Sequence, residues 1–237
     1  MDILFLVPLV CAIVIYTISF EEGKQVCDNY VLVSYLYALF YLSLVAYTIR
    51  GFIKSNMINL SLGALIGTIL AFFGIQIVML STPKEWVILK HLLSVVFSVL
   101  IGFLLSAFFA MYSLSSVVPA VLSTLVLFVA LTLIAWKYQD SLASNLSWNM
   151  ILLFLLLIFT EFFIGMFYPN SLLEKGIILV VLMAISYLVL IKTKRMIENK
   201  KKCETEGGPD YVNEGTGLML SFQNLLIRIL DLFGKKK

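Results

Sequence analysis

The sequence predicts an all-α fold: a polytopic transmembrane helix bundle of seven to eight membrane segments with a central or re-entrant, amphipathic C-terminal helix. Three observations predict it. Hydrophobic residues make up 61% of the 237 residues and charged ones only 13%, against roughly 25% charged in soluble domains. Mean hydropathy is +1.02. Apolar runs of membrane-crossing length recur along the chain, and no connection before residue 192 has room for a soluble domain. Residues 1–237 therefore read as a single membrane domain in contact with a lipid bilayer.

A hydrocarbon core of roughly 30 Å takes about 20 residues at 1.5 Å each. Runs of that kind lie at 3–20, 30–49, 57–80, 87–111, 117–136, 150–168 and 176–191. Each must be helical, because unpaired backbone groups cost several kcal/mol apiece in lipid. The first run resembles a signal peptide in length. Only Met1 and Asp2 precede it, with no basic stretch and no clear small-residue cleavage site, so it reads as a retained helix.

An eighth segment, 217–233, differs in kind and is followed by the tail 234–237. Ser221, Asn224, Arg228 and Asp231 recur at offsets of three, four and three, which places them along one helical face. Such a helix is compatible with crossing beside polar partners, re-entering partway or lying at the interface.

Lysine and arginine set the orientation. Connections after odd-numbered segments carry Lys24, Lys84, Lys90, Lys137, Lys192, Lys194, Arg195 and Lys200 to Lys202; those after even-numbered segments carry Arg50, Lys54 and Lys175. If the eighth segment does not cross, the last three lysines join the odd side, giving thirteen against three. That arrangement puts the odd side and the C-terminal tail in the cytoplasm, with the short N-terminus outside. If it crosses, the margin narrows to ten against six. Two glycosylation sequons bear on this: Asn145-Leu-Ser147, expected to be cytoplasmic and unmodified, and Asn59-Leu-Ser61, too close to the membrane for easy modification.

Composition also excludes function classes. Basic residues gather at segment ends and form no continuous stripe, so nucleic acid is not an expected partner. Three scattered cysteines, Cys11, Cys27 and Cys203, are too few for a disulfide framework, and the one histidine, His91, makes no zinc-binding pattern. No nucleophile elbow, phosphate-cradling glycine loop or H-E-x-x-H motif occurs, so no enzymatic activity and no cofactor are expected.

Few residues within the spans invite chemistry. Glu161 is the one acid well inside a predicted span, where a carboxylate is expensive. It is either a proton- or cation-sensing group or a structural carboxylate bonded to an interior polar residue such as Gln76. Lys90 and His91 read as interfacial anchors that snorkel toward headgroups. Gly63-Ala-Leu-Ile-Gly67 is a GxxxG step that permits close helix approach.

From about Val117 onward the order of features resembles the Bax-inhibitor (TMBIM, Golgi anti-apoptotic protein-like) family. The run Val118 to Thr132 resembles its fourth helix, Lys137-Tyr-Gln-Asp140 its short basic-then-Asp loop, and Phe167-Tyr168 the aromatic end of its fifth helix. Ser186 to Thr193 falls where that family has an aromatic-aliphatic run ending in Asp-Thr. Asp210-Tyr211-Val212, then Leu218 to Asn224 and Arg228, resembles its acid-tyrosine-aliphatic step and the helix that follows. Residues 3–20 would be an additional N-terminal helix.

The resemblance implies a multi-pass protein of the endoplasmic reticulum or Golgi that modulates calcium homeostasis, as an ion-channel-like leak or its regulator, and takes part in apoptosis regulation. Calcium would then be a permeant ion. Family members are thought to hold two aspartates together at the cytoplasmic mouth as a pH-sensitive latch. Here Lys192 stands at the first position and Ser221 at the second, and Ile101 replaces the acid of the third helix. The expectation is a fixed contact from Lys192 to Ser221 or Asn224, with Glu161 as a substitute intramembrane carboxylate and Asp210, Tyr211, Arg228 and Asp231 as the C-terminal motif. The alternatives are a non-conducting protein that engages partner membrane proteins, or an unrelated helical transporter or receptor.

Overall fold

The computed structural model describes residues 3–21, 24–55, 62–142, 148–167, 171–203, 205 and 208–236. Eight helices occur there: α1 Ile3–Ser19, α2 Tyr30–Lys54, α3 Leu62–Ser81, α4 Val87–Ala110, α5 Leu114–Lys137, α6 Trp148–Phe167, α7 Leu172–Lys202 and α8 Tyr211–Phe233. Between α1 and α2, the two-residue strands β1 Phe20–Glu21 and β2 Lys24–Gln25 pair antiparallel, Phe20 opposite Gln25. Both glycosylation sequons lie outside the described residues.

Five of these helices, α2, α4, α5, α7 and α8, are long and apolar enough to cross a membrane; Leu6–Ser19, Ile66–Ser81 and Leu155–Phe167 are shorter apolar stretches. This is the architecture of an integral membrane protein built as an all-α bundle. The helices outrun the apolar sequence where charged residues are good helix formers. Thus α7 continues through Lys192 to Lys202, giving 31 residues.

The start of α8 is set by Asp210. Its Oδ1 accepts the backbone N–H of Asn213 at 3.4 Å and its carbonyl accepts that of Glu214 at 3.2 Å, so it caps a helix that begins six residues before the expected 217. The chain reaches this cap through Gly208, whose φ of +88° suits glycine, and Pro209.

The chain divides into two compact units. The first comprises Met1–Met111 and Asn199–Met219. In it α2 packs against α1 and α4, and α3 packs against α4. The Phe72 ring stacks on buried Phe97 at 4.9 Å, and Phe52 meets Phe103 at 4.7 Å. Two glycines mark close helix approaches. A Cβ on Gly102 would fall 2.6 Å from Thr48 Cβ, and one on Gly215 would fall 2.4 Å from Tyr37 Cβ.

The Gly63–Gly67 step behaves otherwise: among the described residues, a Cβ at either position meets nothing within 4 Å. Gly215→Ala is therefore expected to lower stability by about 1–3 kcal/mol through overpacking. Gly67→Ala should be neutral or stabilising by a few tenths to about 1 kcal/mol. Thermal unfolding of the two purified variants in detergent checks the contrast; equal effects would contradict it.

The second unit comprises Tyr112–Glu198 and Leu220–Lys237. Its helices are two-faced. On α5 the buried residues are Ala120, Thr124, Phe128, Leu131 and Ala135, spaced by three or four, while Leu122, Val126 and Leu133 are exposed. On α7 the buried row is Ile178, Val181, Ile185 and Val189. Large exposed apolar faces would be a liability in water; here they are the lipid-contacting surface. Buried hydroxyls bond back along their own helices, as Thr124 does to the Ala120 carbonyl at 2.7 Å.

The last helix is the most enclosed of the five spans: 56% of its apolar window is buried, against 22% to 39% for the others. Its apolar positions Leu218, Phe222, Leu225 and Ile229 and the neighbouring Met219, Leu226 and Leu230 are all buried. Its C-terminal end closes on Tyr112, just beyond α4. Tyr112 forms a backbone bridge with Lys236, the Ser113 amide donates to the Lys235 carbonyl at 3.3 Å, and the Lys235 amide donates to Ser116 Oγ at 3.0 Å.

Candidate functional site

Lys192 and Ser221, which the resemblance expects at the latch positions, meet. Lys192 Nζ, on α7 just past the buried Val189 turn, donates to Ser221 Oγ on α8 at 3.0 Å. Both belong to the second unit, and Ser221 is buried. Asn224, the other residue expected to take this contact, is exposed. An ammonium and a hydroxyl hold this contact without the shared proton that couples two neighbouring carboxylates.

In the same unit Glu161 is only 9% exposed. Its partner is Arg228, whose Nη1 lies 2.5 Å from Glu161 Oε1, in place of the glutamine expected from the sequence. Arg228 also reaches Asp231 at 3.7 Å, and Asp231 Oδ1 accepts the Tyr112 hydroxyl proton at 2.7 Å. The result is a ladder of acid, base, acid and phenol across α6, α8 and the α4–α5 connection. Burial pushes the Tyr112 hydroxyl above the ordinary tyrosine range, assisted by its bond to Asp231 and by the Asp231 and Glu174 charges. Tyr112 therefore stays a donor at neutral pH. Glu161 Oε2 is buried without a hydrogen-bond partner.

A second polar cluster lies in the first unit. Lys90 is 2% exposed and pairs with Asp210 at 2.8 Å, so it is a buried ion-pair partner and not a snorkelling anchor. Asp210 Oδ2 also accepts from Asn213 Nδ2 at 2.7 Å, and Asn199 Nδ2 donates to Glu214 Oε1 at 2.7 Å. His91 Nε2 lies 3.0 Å from the Tyr37 hydroxyl, with the two rings stacked at 5.0 Å. The Tyr211 ring stacks on Tyr37 at 5.9 Å, and its hydroxyl donates to the Val26 carbonyl. Asp210 and Tyr211 thus fasten the start of α8 to α2, α4 and the connection before α2.

The cysteines depart from expectation. Cys27 and Cys203, 176 residues apart, form a disulfide with Cα atoms 5.9 Å apart; Cys11 is free and buried. Read separately, neither cysteine signals a bridge. The usable signal is that both lie in connections after odd-numbered segments, which a chain crossing at every segment would put on one side of the membrane. The Lys90–Asp210 pair has the same kind of signature, a lysine at the start of an even-numbered segment and an acid in the connection after an odd-numbered one. Among the described residues, no group of three or more His, Cys, Asp or Glu side chains could hold a metal ion.

No curated protein and no solved structure matches the chain. The sequence model of the family described as "Inhibitor of apoptosis-promoting Bax1" matches residues 3–237. That span takes in the N-terminal helix and the front half of the chain as well as the C-terminal half in which the resemblance is legible. The chain belongs to the Bax-inhibitor family.

Proposed function

We propose that this protein modulates the calcium content of an internal membrane compartment, endoplasmic reticulum or Golgi, and through it cell death. In this proposal its pathway is held shut by a lysine–hydroxyl contact where relatives are thought to use two aspartates. The observation that carries this reading is the 3.0 Å bond from Lys192 to Ser221 at the two latch positions. Two nearby carboxylates trade a proton over the physiological range, because each raises the other's affinity for it. A lysine facing a hydroxyl has no such proton, and its charge opposes a divalent cation, an effect that is stronger away from bulk water. The proposal gives the contact no pH-dependent release and assigns the protein no catalysis.

Family membership sets aside an unrelated transporter or receptor. The second reading, a non-conducting protein that binds partner membrane proteins, shares the closed contact and differs in whether opening it yields flux. Lys192→Asp removes the ammonium and places a carboxylate near Ser221. Cells expressing this variant should show lower resting calcium in an organelle-targeted sensor than cells with equal amounts of wild type. Equal readings from equally abundant, folded proteins would overturn the lock and favour the partner-binding role.

A further inference from the structure

The C-terminal end of α2 carries a groove. A cavity of about 340 Å³ is lined there by Tyr47, Thr48, Gly51, Phe52 and Ser55 of α2 and by Val99 of α4, all within the first unit. Small-ligand sites occupy about 300–1,000 Å³. Local sequence choices build it. Gly102 brings α4 close to Thr48, and the Phe52 ring is held against Phe103 at 4.7 Å. Gly51 supplies no side chain, and a Cβ there would meet no described residue within 4 Å, so the space over it stays open. The Thr48 and Ser55 hydroxyls are turned back to the carbonyls of Leu44 and Phe52, at 2.8 and 3.2 Å, which leaves the slot largely apolar. Tyr47 and Val99 are exposed, so it opens outward from the two helices.

The charge beside this slot is one-signed. With 25 residues, α2 is about 37 Å long at 1.5 Å per residue, longer than a hydrocarbon core of roughly 30 Å. Its charged residues, Arg50 and Lys54, both lie in its last two turns, which sets that end at headgroup level, and Tyr47 is a membrane-interface residue type. Arg50 stands three residues from Tyr47, and Lys54 three from Gly51, so the two cations follow one edge of the groove. Both are exposed, and no acid lines the slot.

We propose that this groove binds one anionic phospholipid, with an acyl chain in the slot over Gly51 and the phosphate-bearing headgroup on Arg50 and Lys54. The two halves of the site select this ligand together. A water-soluble phosphate ester would answer the cations and leave the apolar slot empty. A neutral lipid would fill the slot and leave the cations without an anion. Only a molecule with both parts, held at the boundary between headgroups and hydrocarbon, uses the whole of it.

The test mixes the full chain, purified in detergent, with equal amounts of dioleoyl phosphatidylserine and dioleoyl phosphatidylcholine, and counts retained lipids by native mass spectrometry. Wild type should keep one phosphatidylserine per chain, preferred over phosphatidylcholine by about tenfold. Gly51→Leu fills the slot and should lose that lipid while melting as wild type does. Arg50→Gln/Lys54→Gln leaves the slot open and should hold the two lipids equally. Glycerophosphoserine, the headgroup without its chains, should not displace the bound lipid. No preference in wild type, a preference that survives both glutamines, or displacement by the bare headgroup would overturn the site. So would a folded Gly51→Leu that keeps the lipid. The glutamine variant changes exposed side chains alone, so the test stands even if Gly51→Leu does not fold.

Discussion

Asp210→Ala should leave the Lys90 ammonium buried with no counter-charge and destabilise the protein by about 3–5 kcal/mol, the usual penalty for removing one partner of a buried pair. Lys90 is 2% exposed and Asp210 21%, so the two ends of this bond are unequal. Lys90→Met removes the more deeply buried charge and keeps most of its volume. Asp210 then retains Asn213 and its capping role, and the expected loss is only about 1–2 kcal/mol. The double variant should recover most of what Asp210→Ala loses, apart from about 1 kcal/mol for the missing cap. Unfolding of all four proteins in one detergent gives the coupling energy directly. Additive losses would mean that the pair is not a buried unit.

Arg228→Met is the second large effect. Arg228 serves Glu161 at 2.5 Å and Asp231 at 3.7 Å, and Glu161 is 11% exposed at its side chain. Without the guanidinium, two acids remain with no cation between them, and a loss of about 3 kcal/mol is expected. Arg228→Lys should rescue little, because a single ammonium does not reproduce the planar fork that serves two acids at once. Glu161→Gln added to Arg228→Met should restore part of the stability by removing the stranded charge. Thermal unfolding in detergent at fixed pH checks the series. A double variant no more stable than Arg228→Met would show that Glu161 is tolerated without its partner.

The helices were largely legible because lipid enforces a simple code: a run of about twenty apolar residues has one stable backbone conformation. The C-terminal helix was legible in outline from its polar spacing, and the structure places Ser221, Arg228 and Asp231 against Lys192, Glu161 and Tyr112 respectively. Pairings across the chain were not. Lys90 reads as a headgroup anchor until Asp210, 120 residues later, is folded against it. Glu161 could be flagged from sequence, yet periodicity carries no information about whether α3 or α8 supplies its partner. The disulfide was illegible for the same reason, since its two cysteines lie 176 residues apart. The GxxxG step points the other way: local spacing licensed a packing seam, yet no described residue lies within 4 Å of a Cβ at Gly63 or Gly67, while Gly102 and Gly215, outside any motif, sit at close approaches.

Calcium efflux from liposomes holding the purified protein tests the closed contact most directly, with Lys192→Asp/Ser221→Asp compared against wild type at acidic and alkaline pH. The account predicts little efflux from wild type at either pH, and from the double variant an efflux that changes with pH, since two facing carboxylates now share a proton. A wild-type leak as large and as pH-dependent as that of the double variant, or a folded double variant that stays closed throughout, would contradict it.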